Sequence, residues 1–209
     1  MWNDLIERRP ELAVCEQQIK HALDIIIKCY ERGGKLLLCG NGGSAADCEH
    51  IVGELMKDFL VWRPLSEQER AQMRERVPSI TDEMLDCLQR GLPAIALPSI
   101  IGFGTAFSND RDAQLVYAQG VLTLANEADV LLAISTSGNA ANVIYAAEVA
   151  GGLALPVIGL TGGSGGKLSS LCDACICVPE SETYKVQELH ISVYHYLCAA
   201  LERYFFAKR

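Results

Sequence analysis

The apolar positions of this chain fall into two alternating rhythms. Residues 12–31 carry Ile19, Leu23, Ile26 and Tyr30 at three- to four-residue spacing, the period of a helix buried along one face. Gly33 and Gly34 stop it. Residues 35–40 follow as Lys35 and a short apolar run ending in Gly40, which predicts a buried strand. Asn41-Gly42-Gly43 predicts a loop, and Ser44 opens a second helix to about residue 60. Strand-like runs recur at 93–97, 130–134, 156–160 and 174–178. Helix-like stretches lie at 112–125 and 140–150, and a long helix closes the chain over about 183–206. Continuous apolar strands separated by helices predict an α/β fold: a three-layer sandwich whose central five-stranded parallel sheet is covered by helices on both faces.

Residues 61–92 interrupt the rhythm. They are charged, hold Pro64 and Pro78, and predict two short helices. Ser66 and Glu69 form a capping-box pattern for the first, and Gly91 is expected to end the second. The reading is one domain over 1–209 with a charged helical insertion at about 61–92.

Composition narrows the function. Half of the 209 residues are apolar and 21% are charged, enough to bury a large core. The net charge is −8 and no Lys/Arg block occurs, which argues against a nucleic-acid partner. No apolar run reaches the ~18–20 residues of a membrane helix. Residues 1–10 mix acid, base and Trp2, unlike a signal peptide, so a cytoplasmic protein is expected. Nine cysteines, an odd number mostly in apolar surroundings, read as small buried thiols of a reducing compartment. Cys172-x-x-Cys175-x-Cys177 resembles metal spacing only superficially, because no second pair follows it.

Ligands of open parallel sheets bind beyond the carboxyl ends of the strands. Three strand exits are rich in small polar residues: 40–44, 135–139 and 161–166. Glycines let backbone approach an anion, and hydroxyls with helix N-terminal amides satisfy its oxygens. Gly40-x-Gly42-x-x-Ala45 also fits a dinucleotide fingerprint, but the acidic residue expected about 20 positions on, at the end of a second strand, is missing. No Walker lysine follows either. His50 and Glu54 lie i, i+4 on one helix face, as a metal-binding or acid–base pair would. Gln187 and His195 share roughly one side of the last helix, about 12 Å apart along its axis. They reach one metal only by stretching toward a point between them; otherwise one ligand comes from another chain. His190 is rotated away and reads as a core or interface histidine, and His21 lies near neither cluster.

Cys39-Gly40-Asn41-Gly42-Gly43-Ser44, His50-x-x-x-Glu54, Ser135-Thr136-Ser137-Gly138-Asn139 and Gln187-Glu188-Leu189-His190 with His195 together resemble the sugar isomerase (SIS) domain family, and within it the phosphoheptose isomerases. The likeness covers nearly the whole chain outside residues 61–92. It implies a flavodoxin-like SIS fold and isomerisation of sedoheptulose 7-phosphate to D-glycero-D-manno-heptose 7-phosphate through a metal-assisted enediol. It implies phosphate held by Ser135, Thr136 and Ser137 with help from Ser44, and sugar contacts from Asn41, Gly42, Gly43, Asn109, Asp110, Glu54 and Gln187. It implies zinc on His50, Glu54, Gln187 and His195, with Glu54 and His195 as proton-transfer groups. A homotetramer with active sites between subunits, and heptose supply for lipopolysaccharide, follow from the same likeness. Three departures stand out: Ala140 where the family usually has a hydroxyl, Tyr184 where an acid is frequent, and the 61–92 segment. The competing reading is a non-catalytic SIS protein that binds a phosphosugar or a protein partner, of the replication-initiator-associating type. Such proteins tend to lose the metal and acid–base residues that this chain keeps.

Overall fold

In the computed structural model, which describes residues 1–207, the elements follow in the order α1 (Trp2–Arg8), a 3-10 turn (Pro10–Cys15), α2 (Glu16–Glu31), β1 (Leu36–Cys39), α3 (Gly43–Met56), α4 (Glu67–Arg76), α5 (Asp82–Cys87), β2 (Ala94–Ala96), α6 (Ile101–Asp110), α7 (Val116–Leu124), β3 (Val130–Ser135), α8 (Ala141–Gly152), β4 (Val157–Gly162), β5 (Ala174–Val178) and α9 (Thr183–Phe206). The five strands form one wholly parallel sheet in the order β2-β1-β3-β4-β5. That is the expected flavodoxin-like sandwich. Its strands are largely apolar because helices cover both faces, and successive residues serve opposite cores. Leu36 and Leu38 face α2, α3 and α9, whereas Leu37 and Cys39 face α7 and α8. Among the described residues no helix is long and apolar enough to cross a membrane.

Local structure departs from expectation in five places. The helix expected from Ser44 to about residue 60 ends at Met56, with Lys57 already extended. The first predicted helix begins as a 3-10 turn with Pro10 in its first turn, and becomes α-helical at Glu16. The helix expected over 112–125 is α-helical only from Val116. Helix α6 was not foreseen; Gly102 and Gly104 weaken its propensity, and none of its residues is buried. The helix α5 ends at Cys87, four residues before Gly91. Gly91 is needed for another reason: a methyl there would lie 2.5 Å from the Met56 carbonyl.

The 61–92 segment leaves and re-enters the domain at one point. Pro64 bridges Gln89, and the Arg90 amide donates to the Arg63 carbonyl at 2.8 Å. The capping box forms as expected, with the Glu69 amide donating to Ser66 Oγ and the Ser66 amide to Glu69. At its base Arg63 is wholly buried, donating to Glu202 at 2.8 Å and to the Leu55 and Glu54 carbonyls at 2.7 and 3.0 Å. Glu202 also accepts from the amides of Phe59, Leu60 and Val61. One guanidinium therefore caps the end of α3 and joins it to α9.

Breaking this pair on one side strands a buried charge. Glu202→Leu is expected to lose about 3–5 kcal/mol in urea unfolding, and Arg63→Met combined with Glu202→Leu to recover much of it. A single variant as stable as the double would mean that the Arg63 charge is solvated elsewhere.

Candidate active site

Strands β1 and β3 are neighbours although β2 intervenes in sequence, so the sheet changes direction between them. Their exit loops border the crevice where open α/β sheets take ligands. Gly42, the first-loop N-cap of α3, has φ +55, a conformation that favours glycine. The first loop is tied to α7 and to the start of α8, the helix that follows the second loop. Asn41 and Asn142 exchange amide hydrogen bonds of 2.8 and 2.9 Å, and the Tyr117 hydroxyl donates to the Gly40 carbonyl at 2.7 Å. Ser44 and Ser135 are buried, Thr136 is half-buried, and Ser137 is exposed with its Oγ accepting from the Asn139 amide.

The glycine-rich exit of β4 plays a different part from the one its composition suggests. Gly138 has φ +65, and a methyl on it would collide with the Gly165 carbonyl. The Leu168 amide donates to the Gly138 carbonyl at 3.0 Å, and the Lys167 amide to Asn139 Oδ1 at 3.1 Å. Residues 162–168 thus brace the 135–139 loop from behind.

Helices α3 and α9 lie side by side and carry the ionisable cluster. His50 Nε2 is 3.3 Å from Glu54 Oε1 and 3.5 Å from His195 Nε2. Phe59 packs against the His195 ring, with 5.5 Å between ring centroids. Burial is the main cause of a lowered His195 pKa, assisted by the His50 charge and opposed by Glu54. The His50 Nδ1 is 2.9 Å from the Tyr194 hydroxyl, which donates to Asp47 Oδ1 at 3.2 Å. A tyrosine has one proton. Giving it to Asp47 makes the hydroxyl an acceptor toward His50, fixes the His50 proton on Nδ1 and leaves an Nε2 lone pair facing Glu54 and His195. Neither Asp47 nor Tyr194 was singled out in the sequence, where both read as ordinary helix positions; their spacing from His50 and next to His195 is the only signal.

The fourth expected ligand sits apart. Gln187 packs over Gly43, where a methyl would collide with its amide nitrogen, two turns of α9 before His195. Two imidazoles and a carboxylate are a zinc-type donor set, and Glu54 Oε2 is buried without a hydrogen bond, 3.7 Å from Lys57 Nζ. The donors therefore suit a zinc ion chemically. They meet pairwise at His50, however, and among the described residues no three His, Cys, Asp or Glu side chains are arranged to hold an ion. The expected convergence of four ligands on one point is thus not preformed in the single chain.

The remaining expected residues are placed as follows. Asn109 and Asp110 are exposed at the end of α6, joined by a 2.9 Å hydrogen bond. Ala140 is the N-cap of α8 and supplies no side-chain cap. Tyr184 is exposed at the start of α9, with Lys185 Nζ 5.8 Å from its ring. His21 is exposed. His190 is wholly buried, without a side-chain hydrogen bond, and burial lowers its pKa to about 4.

Comparison with known proteins bears on the chain as a whole. The SIS domain family model matches residues 6–85 and 89–162, running through most of the 61–92 segment. The chain is 40% identical over 201 residues to the phosphoheptose isomerase of Helicobacter hepaticus, covering 96% of this chain and 89% of that one. A phosphoheptose isomerase structure from Francisella tularensis superposes with a TM-score of 0.77 at 32% identity, over 97% of this chain and 94% of that one. The Neisseria gonorrhoeae enzyme gives 0.75 at 30%, over 96% and 94%. By this family-model match and these identities over most of both chains, the chain belongs to the phosphoheptose isomerase family of SIS-domain proteins.

Proposed function

We propose that this chain interconverts the ketose sedoheptulose 7-phosphate and the aldose D-glycero-D-manno-heptose 7-phosphate. The observation that carries the reading is the meeting of His50, Glu54 and His195 on two helices beside the exit loops of the paired strands β1 and β3. The relatives named for this activity support it.

The phosphate is assigned to Ser135, Thr136 and Ser137 with Ser44, where two helix N-termini and small side chains favour an anion. Asn41, Gly42 and Gly43, with Asn109, Asp110 and Gln187, are assigned to the sugar hydroxyls. Moving a carbonyl between C1 and C2 requires a proton to leave one carbon and another to return to its neighbour. Glu54 is the proposed carrier of that proton, and His195, held neutral by burial, exchanges protons with the substrate oxygens. Anchoring the distant phosphate orients the reacting carbons. His50, Glu54, Gln187 and His195 are the proposed zinc ligands. Zinc, when bound, supplies Lewis-acid stabilisation of the negative charge that develops on the substrate.

Exposed apolar residues on α6 and α7 and just before α7, Ile101, Leu122 and Leu115, support a subunit contact. We assign the chain to a cytoplasmic homotetramer with shared active sites, supplying heptose for lipopolysaccharide.

Glu54→Gln keeps the side-chain volume and removes the base. Turnover of sedoheptulose 7-phosphate, followed by NMR, is expected to fall by about 10²–10⁴-fold with the melting temperature little changed; wild-type turnover would take Glu54 out of the mechanism. Tyr194→Phe releases the His50 ring. Chelator competition should show zinc held about 10–100-fold more weakly, and unchanged affinity would mean that Tyr194 does not orient a ligand. Ser137→Ala should raise KM about tenfold or more with kcat nearly constant, by loss of a hydrogen bond to a charged group. An unaltered KM would place the phosphate elsewhere.

A further inference from the structure

Away from the candidate active site, three thiols gather on the edge of the sheet. β5 is an edge strand, paired with β4. Its Ala174, Ile176 and Val178 enter the core under α2 and α9, whereas the alternating Cys175 and Cys177 lie on the opposite face, half-buried. Their sulfurs are 3.6 Å apart, and Thr161 Oγ1 stands 3.7 Å from Cys175 Sγ and 3.3 Å from Cys177 Sγ. Cys172 precedes the strand and brings a third sulfur to the same place. Gly159 of β4 makes room for it. A methyl there would lie 2.7 Å from Cys172 Sγ and 3.0 Å from Cys175 Sγ, so both sulfurs occupy the space above one glycine.

Cys175 differs from the buried thiols in kind. Cys15, Cys29, Cys39, Cys48 and Cys198 are buried, and desolvation suppresses their ionisation; the Cys39 thiol is pushed up to about 12. Around Cys175, by contrast, polar partners surround one sulfur: the Cys172 thiol first, then the Thr161 hydroxyl, which donates to Cys177 at 3.3 Å and can turn to Cys175 at 3.7 Å, and the Cys177 thiol. Together they hold its pKa below the ordinary thiol value. The single Cys172 proton can also reach the Leu168 carbonyl, at 3.1 Å. A thiolate is the stronger acceptor, so the proton turns to Cys175 when that sulfur is charged.

We infer that Cys175 and Cys172 form a peroxide-reactive dithiol site, with Cys175 as the attacking sulfur and Cys172 as the resolving one. The Cys175 thiolate attacks a hydroperoxide oxygen. A sulfur–oxygen bond forms, the oxygen–oxygen bond breaks, and the leaving hydroxide or alkoxide takes a proton. Cys172 then attacks the resulting sulfenic acid. The sulfur–sulfur bond forms, the sulfur–oxygen bond breaks, and water leaves with the Cys172 proton. With hydrogen peroxide, two thiols become one disulfide and two waters are released. Cys177 is the poorer resolving group. It sits two residues along the same strand, where same-face neighbours are about 6.6 Å apart, and a disulfide needs β-carbons within about 4.5 Å. Cys172 lies outside the strand and is not held in that spacing.

The test is peptide mass mapping of the full-length reduced protein after stoichiometric hydrogen peroxide, alkylation and non-reducing digestion. The expected product is a Cys172–Cys175 disulfide with Cys177 alkylated. Cys172→Ser should leave Cys175 as a sulfenic acid that dimedone captures. Cys175→Ser, a near-isosteric change, should consume peroxide about tenfold more slowly at neutral pH. A disulfide through Cys177, oxidation first at the exposed Cys87, or a Cys175→Ser variant as reactive as the parent would each overturn the assignment. All of these readouts are independent of isomerase activity.

Discussion

The side-by-side pairing of β1 with β3 is the constraint from which the site is built. Once the chain leaves β1, makes β2 on the outer side and crosses back, the loops at 40–43 and 135–139 must meet at one end of the sheet. Gly42 in the first loop is left-handed, a backbone conformation that favours glycine, and Gly138 in the second is pressed against the Gly165 carbonyl of the β4 exit. The reciprocal Asn41–Asn142 amide pair then links the first loop to the start of α8, each side chain satisfying the other's donor and acceptor. The crevice between the two loops is thus a consequence of strand order.

Helix α9 brings Gln187 and His195 against the helix that leaves that crevice. Gln187, His195 and Glu202 fall within an arc of about 80° on its surface, one face of a 100°-per-residue helix. Each meets a different level of the structure. Gln187 lies over Gly43 at the start of α3, His195 meets His50 in its middle, and Glu202 binds the Arg63 that caps its end. A shift of α9 along α3 would break the buried ion pair as well as separate the histidines. The Arg63–Glu202 pair therefore fixes the register of the two helices, and the base of the 61–92 segment is part of what positions Glu54.

Much of this was legible from sequence because it rests on repeating patterns. Strands covered on both faces have to be largely apolar, so all five stand out, and the i, i+4 spacing of His50 and Glu54 announces a shared face. What escaped is what depends on partners far away in sequence. Arg63 looks like one more charge in a charged segment until Glu202 is packed above it. Asp47 and Tyr194 carry no signature beyond their closeness in sequence to His50 and His195, and Asn142 carries none. Helix α6 was invisible because it buries nothing within the chain and contains two glycines. The 161–166 stretch was legible as a turn but not in its role, since glycine serves an anion and a neighbouring loop by the same means: a bare backbone. Resemblance supplied the weight of Gln187 and His195, for which helical spacing alone left the shared ligand point open.

The Asp47–Tyr194–His50 chain shows how the fold favours function over stability. Burial raises the Asp47 pKa above its ordinary value near 3.8, against the opposing effects of the Tyr194 hydrogen bond and the His50 charge. An acid whose folded pKa is raised favours the native state fully below its ordinary pKa and loses that contribution as pH rises through the folded one. Near neutrality the carboxylate is therefore a net cost, and its Oδ2 has no hydrogen bond to offset burial. An apolar residue at position 47 would remove that cost. It would also remove the acceptor that takes the Tyr194 proton, and with it the reason for His50 to hold its own proton on Nδ1. The penalty is confined to one carboxylate, and what it secures is the direction of a lone pair two hydrogen bonds away.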